Sequence, residues 1–156
     1  MHSYDAEAVS SGSPATIWGL LVDARTWPTW TPVDELVVEQ SSGLGAGSGR
    51  SAVGTVQAFR TGDVVTAERI SELVPERRFC YEDAVNFAMH DYRAVVELTP
   101  GAGGTVIRGR GTYGTTPGLE TALPDYLQGV MQQHVDGIAA RAEEIERRPA
   151  PSVDYR

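Results

Sequence analysis

Leu119 to Arg148, LETALPDYLQGVMQQHVDGIAARAEEIERR, is the one stretch with unbroken helical periodicity over many turns. At about 100° per residue, Leu123, Leu127, Val130, Met131, His134, Ile138 and Ile145 fall within one narrow arc, and Gln128, Gln132, Asp136 and Arg147 lie outside it. The spacing predicts an amphipathic helix with a core-facing stripe. Arg141, Arg147 and Arg148 suit the negative end of its dipole, and Pro149 and Pro151 stop it. Pro124 cannot donate an interior hydrogen bond, so the main helix is expected to begin near it or to kink there.

Upstream of Pro117 the period shortens to that of strands. His2 to Val9 alternates as a first strand, with Tyr4, Ala6 and Ala8 on one face. Ser13 is a good helix cap and Pro14 fits a first helical position, so Ile17, Leu20, Leu21 and Ala24 give a short helix its apolar side up to about Asp23. Trp27-Pro28-Thr29-Trp30-Thr31-Pro32 is too rich in proline for more than a helical turn or a corner. Six further strands are predicted, at Leu36–Gln40, Ala52–Phe59, Val64–Val74, Arg78–Val85, Tyr92–Leu98 and Thr105–Tyr113. The short turns between them, such as Thr61-Gly62-Asp63 and Pro100-Gly101-Ala102-Gly103-Gly104, favour antiparallel hairpins. The class is therefore α+β: a seven-stranded antiparallel sheet, one or two short helices after the first strand, and a long C-terminal helix across one face.

With 156 residues, 41% of them hydrophobic, one domain over residues 1–148 can bury roughly 70% of its extended surface, and residues 149–156 read as a disordered tail. The net charge of −8 opposes binding to nucleic acid or anionic lipid. Cys80 is the single cysteine, which rules out an intrachain disulfide and a cysteine metal cluster. No basic, apolar leader opens the chain and no run is long enough to span a bilayer, so a cytoplasmic protein without membrane insertion is expected.

Alternation assigns the inward faces. Tyr92, Ala94, Val96 and Leu98 share one, as do Phe79, Tyr81 and Asp83. In the last strand Ile107, Gly109, Gly111 and Tyr113 are in phase, and two inward glycines predict either a bend or a cavity. Ile70 takes Glu68 inward with it, although Val65, Ala67 and Leu73 lie on the opposite parity. Gly109 to Gly114 spells G-x-G-x-x-G but sits within a strand among hairpins, which excludes a dinucleotide turn. Gly43 to Gly49 lacks the ending of a phosphate loop and reads as a loop at a pocket mouth. His134, in the middle of the helical stripe, is either a satisfied core histidine or a ligand-binding or acid–base group. His2, His90 and His134 show no metal-ligand spacing. Tyr81, Tyr92, Tyr113 and Tyr126 are amphipathic fillers that could converge on a small-molecule site. No serine or cysteine is placed as a nucleophile.

This order of elements, read with Ser13-Pro14-Ala15-Thr16-Ile17-Trp18, Asp23, Trp27-Pro28-Thr29-Trp30, Gly54-Thr55-Val56, Phe59-Arg60-Thr61-Gly62 and Gly104-Thr105-Val106, resembles the START-like, birch-pollen-allergen-like helix-grip superfamily. Within it the chain is similar to the polyketide cyclase/dehydrase branch over residues 3 to 147. The resemblance implies a curved sheet gripping the long helix, with a polyketide-like or lipid-like molecule between them and no cofactor. The superfamily has no universal catalytic set to transfer. The residue reading nominates His134, Glu68 and Tyr81 for catalysis. For binding it nominates Phe79, Asp83, Tyr92, Ile107, Gly109, Gly111 and Tyr113 from the sheet, and Tyr126, Leu127, Val130 and Met131 from the helix. A cofactor-independent cyclase or dehydratase and a non-catalytic carrier or sensor both fit, as does an interaction protein with an incidental cavity. The expected partner is a hydrophobic small molecule, and the chain is expected to be a monomer or homodimer.

Overall fold

The computed structural model describes residues 1–148, so the expectation for the tail lies outside it. Strand β1 (His2–Ser10) leads into helix α1 (Pro14–Val22), whose start is fixed by the Ser13 side chain accepting from the Thr16 amide at 3.3 Å. A 3-10 turn over Ala24–Thr29 makes the tryptophan corner. There follow β2 (Glu35–Leu36), a 3-10 turn over Val38–Gln40, β3 (Val56–Thr61), β4 (Val64–Val74), β5 (Arg78–Val85), β6 (Met89–Gly101), β7 (Gly104–Thr115) and helix α2 (Ala122–Arg147). One seven-stranded sheet results, in the order β1-β7-β6-β5-β4-β3-β2, and every described pair is antiparallel. This is the α+β helix-grip arrangement.

Two strands differ from the sequence reading for a local reason, and the sixth runs longer, over Met89–Gly101 rather than Tyr92–Leu98, its pairing with β7 continuing to Gly101 opposite Gly104. The second strand spans two residues rather than Leu36–Gln40, because the chain turns at Val38 and the Ser41 hydroxyl takes the Ala58 amide at 2.9 Å in place of a strand carbonyl. The third starts at Val56 rather than Ala52, since Gly54 has φ +93° and Thr55 closes a turn onto Ala52. Helix α2 begins at Ala122, near Pro124 as the sequence predicts. The proline thus falls in the first turn, where amides have no helical acceptor, and costs no interior bond.

Three register shifts interrupt the described strand pairs, one of them between Ala67 and Glu68, and the other two bear on which side chains face α2. A register shift between Ile70 and Glu72 changes parity in β4, so Ile70 and Leu73 both join the main core, while Ala67 packs in a small outer cluster with Val37 and Ala58. A second, at Asp91 with φ +50°, lets Met89 and Tyr92 both point inward.

Helix α2 does not lie centrally. Gln128 holds the Asp5 carbonyl at 2.9 Å and Gln132 the Glu7 carbonyl at 3.0 Å, which covers the free edge of β1 and ties the helix to it. Leu127, Val135, Ile138, Ala139 and Ala142 are buried on that side. At its middle, Gly137 approaches the tryptophan corner so closely that a Cβ would sit 2.0 Å from the Trp30 carbonyl oxygen. Drawn toward the β1 edge, the helix leaves the sheet open over β3 to β6.

Candidate ligand cavity

That opening is a cavity of about 700 Å³. Its sheet wall carries Phe59 from β3, Thr66 and Glu68 from β4, Asp83 from β5, and Met89 and Tyr92 from β6. Its helix wall carries Leu123, Tyr126, Val130, Met131 and His134. Trp27 closes the back, stacked on Phe59 with ring centroids 5.1 Å apart and its indole N–H donating to the Leu21 carbonyl at 3.1 Å. Pro32, Val33, Val64, Phe87 and Tyr126 surround the mouth, where Phe87 is 65% and Tyr126 67% exposed. The loop that carries Phe87 is shaped by Asn86, whose side-chain carbonyl accepts from the Ala88 and Met89 amides, both at 2.9 Å.

The polar groups in this apolar lining are few. Glu68 opens part of its surface to the cavity and is otherwise enclosed by protein. Burial pushes its carboxyl up to about 7, against a weak hydrogen bond from Gln57 at 3.5 Å that favours the anion. Gln57 is itself fully buried and held by the Ser51 hydroxyl at 3.0 Å. Asp83 is the register partner of Glu68 and accepts from the Tyr92 amide at 3.2 Å. His134 stands edge-on to Trp30 at 6.2 Å, and burial brings its imidazole down to about 4, so it is neutral at physiological pH. Among the described residues it has no hydrogen-bond partner, and it lines the cavity.

Beneath the cavity floor lies a tyrosine cluster. The Tyr92 hydroxyl is 2.6 Å from that of Tyr4 and 3.3 Å from that of Tyr81. Burial pushes the Tyr4 hydroxyl up to about 12 and raises Tyr81 and Tyr92 well above the ordinary value, so all three are neutral hydrogen-bonding groups.

The structure therefore brings Glu68, Asp83, Tyr92, Tyr126, Val130, Met131 and His134 to one cavity. It places the other nominated residues elsewhere. Tyr81 stands behind Tyr92, outside the cavity lining, with its hydroxyl 3.3 Å from that of Tyr92. Phe79, Ile107, Tyr113 and Leu127 are core, packed beneath Trp18, α2 and Tyr92. The inward glycines do not make the void. A Cβ at Gly109 would meet Val135 at 3.4 Å and one at Gly111 would meet the Tyr4 ring at 2.4 Å, so the space they free is already occupied. The Gly43 to Gly49 loop is also away from the mouth, held by Arg25 at the Gly47 carbonyl and by the Ala24 amide at Gly49. Trp27, Phe59 and Met89 were absent from the sequence nominations. Their signal was the proline-broken tryptophan corner and the aromatic at the end of a hairpin strand.

Among the described residues no helix is long and apolar enough to cross a membrane. No curated protein matches the chain in sequence. Solved structures share its fold at low identity. The Aha1 dimer from Colwellia psychrerythraea has TM-score 0.72 at 16% identity, covering 92% of this chain and 97% of that one. The di-domain ARO/CYC StfQ from the steffimycin biosynthetic pathway has TM-score 0.70 at 17% identity, over 92% of this chain and 51% of that one. An uncharacterised protein from Bacillus thuringiensis has TM-score 0.69 at 14% identity, over 90% and 98%. The family described as polyketide cyclase / dehydrase and lipid transport matches residues 1–143, and the chain belongs to that family.

Proposed function

We propose that the cavity binds a hydrophobic, carbonyl-bearing molecule of polyketide type and that the protein catalyses its cyclisation or dehydration without a cofactor. The observation that carries this reading is Glu68: a carboxyl in an apolar, ligand-sized cavity, poised near 7, where acid and base forms coexist at neutral pH. The family description and the aromatase/cyclase named among the fold neighbours support the substrate class.

Glu68 as carboxylate takes a proton from a carbon between two carbonyls. That carbon attacks a second carbonyl, and the new C–C bond leaves an alkoxide that recovers the proton from Glu68. Dehydration follows when Glu68, again a carboxylate, takes the remaining proton from the same carbon, the C=C bond forms as the C–O bond breaks, and that proton leaves with the hydroxyl as water. His134, with its pKa well below neutrality, is a poor base and a good neutral hydrogen-bond donor, suited to holding the carbonyl oxygen. Trp27, Phe59, Val130 and Met131 fold the chain between them, and near-attack positioning of this kind can supply roughly 7 to 11 kcal/mol.

Incubation with a short poly-β-ketone thioester, followed by mass spectrometry, tests the proposal. A product lighter by one water, formed by the wild type and not by Glu68→Gln, is expected. A bound but unchanged thioester would return the protein to the carrier reading.

A further inference from the structure

The cavity's charges are all of one sign. Glu68 and Asp83 face each other across β4 and β5, and Asp125 stands at the helix end of the same lining, which contains no arginine. The chain has no lysine, and its thirteen cations are all arginines. Most of those on the sheet are paired elsewhere: Arg60 with Glu35 at 2.9 Å, Arg69 with Glu82 at 3.5 Å, Arg78 with Glu72 at 3.3 Å, Arg108 with Asp5 at 2.6 Å and Arg110 with Glu97, and the remaining one, Arg93 in β6, is not among the cavity's lining residues. Two carboxyls directly opposite on one sheet face repel, and none of these cations is spent on relieving that pair. One oxygen of Glu68 and one of Asp83 have no protein donor among the described residues. His134, a neutral imidazole without a protein partner among the described residues, is the third such group in the same lining.

We infer that the cavity selects by charge: it admits apolar molecules that are neutral or carry a basic nitrogen, and excludes those bearing a carboxylate, sulfate or phosphate. The inference rests on the reading of this cavity as a ligand site and narrows what it takes. A polyketide enters as an ester, thioester or amide rather than as the free acid, and fatty-acid anions and phospholipids are rejected. An amine-bearing ligand places its nitrogen between Glu68 and Asp83, where a cation relieves their repulsion, with the ring of Tyr92 alongside.

Naphthylmethylamine, naphthalenemethanol and naphthoate share one apolar body and differ in charge. Their dissociation constants are measured calorimetrically at about pH 8, where amine and acid are both fully charged. The wild type is expected to bind naphthoate at least about tenfold more weakly than both of the others. Glu68→Gln should strengthen naphthoate binding and narrow the gap. Naphthoate bound as tightly as the alcohol overturns the charge selection and leaves the cavity reading standing, and a gap unchanged in Glu68→Gln overturns its assignment to the carboxyls. Binding of none of the three overturns the cavity reading and this inference with it.

Discussion

The Tyr4 and Tyr92 hydroxyls lie 2.6 Å apart, joining β1 to β6 over the intervening β7. The contact depends on what is missing between them: Gly111 is the register partner of Tyr4, and any side chain there would collide with the tyrosine ring. Tyr4→Phe leaves Tyr92 with only the longer contact to Tyr81, at a cost of about 1 to 3 kcal/mol for an underpaired buried hydroxyl. Gly111→Ala should displace the ring and break the same bond, so the two losses are expected to be less than additive. Urea denaturation of the single and double variants checks this. Fully additive losses would mean that the glycine acts on something other than the tyrosine pair.

Gly137→Ala offers a test of how α2 is seated. In an exposed helix interior, glycine to alanine stabilises by about 0.8 to 1 kcal/mol. Here the new Cβ would press on the Trp30 backbone, which cannot swing aside as a flexible side chain can. The sign should reverse, with a fall in thermal midpoint and a change in tryptophan fluorescence as the helix lifts from the corner. A stabilised variant would show that the helix tolerates a wider separation than the structure has.

The fold was legible because it rests on period and punctuation: the helical stripe around His134, the alternation from Val64 to Tyr113, and the hairpin turns. The cavity was legible only in part. Glu68 and Asp83 could be assigned inward by parity, yet the bulge after Ile70 that reconciles Glu68 with Leu73 leaves no plain mark in a single sequence. The inward glycines misled because a missing side chain says that space exists, not who fills it. Val135 and Tyr4 are distant in the chain and become their neighbours only through packing. The real void comes from the lean of α2 toward β1, set by Gln128 and Gln132, which read in sequence as ordinary solvent-facing polar residues.

Glu68 and His134 should tilt stability with pH in opposite directions. The folded Glu68 carboxyl titrates near 7 against an ordinary 4.5, so its folded form holds the proton more tightly. Stability from this group is full below 4.5 and is lost as pH rises toward 7. His134 titrates near 4 against 6.5, so its stability is full above 6.5 and is lost as pH falls toward 4. Each contribution amounts to about 3 kcal/mol at most, and in the wild type they largely offset. Glu68→Gln should therefore become distinctly acid-sensitive and His134→Gln alkali-sensitive across this window. Parallel pH–stability curves for the two variants would contradict the burial of one or both groups.

The same two substitutions separate chemistry from binding. If Glu68 moves the proton, Glu68→Gln keeps the thioester's affinity within a few-fold, because the amide has the same shape, while turnover falls by about 10² to 10⁴. The wild-type rate should carry an inflection near 7 that the variant lacks, since the carboxylate is the base for the first step and its proton is the acid for the next. His134→Gln should behave differently. Removing an imidazole that only holds a carbonyl weakens binding by one hydrogen bond, about 0.5 to 1.5 kcal/mol, and leaves the inflection in place. Affinity by calorimetry and turnover across pH, measured on both variants, decide the assignment. Should His134→Gln abolish the inflection while Glu68→Gln merely weakens binding, the roles are reversed, and the imidazole must regain its ordinary basicity once ligand closes the cavity.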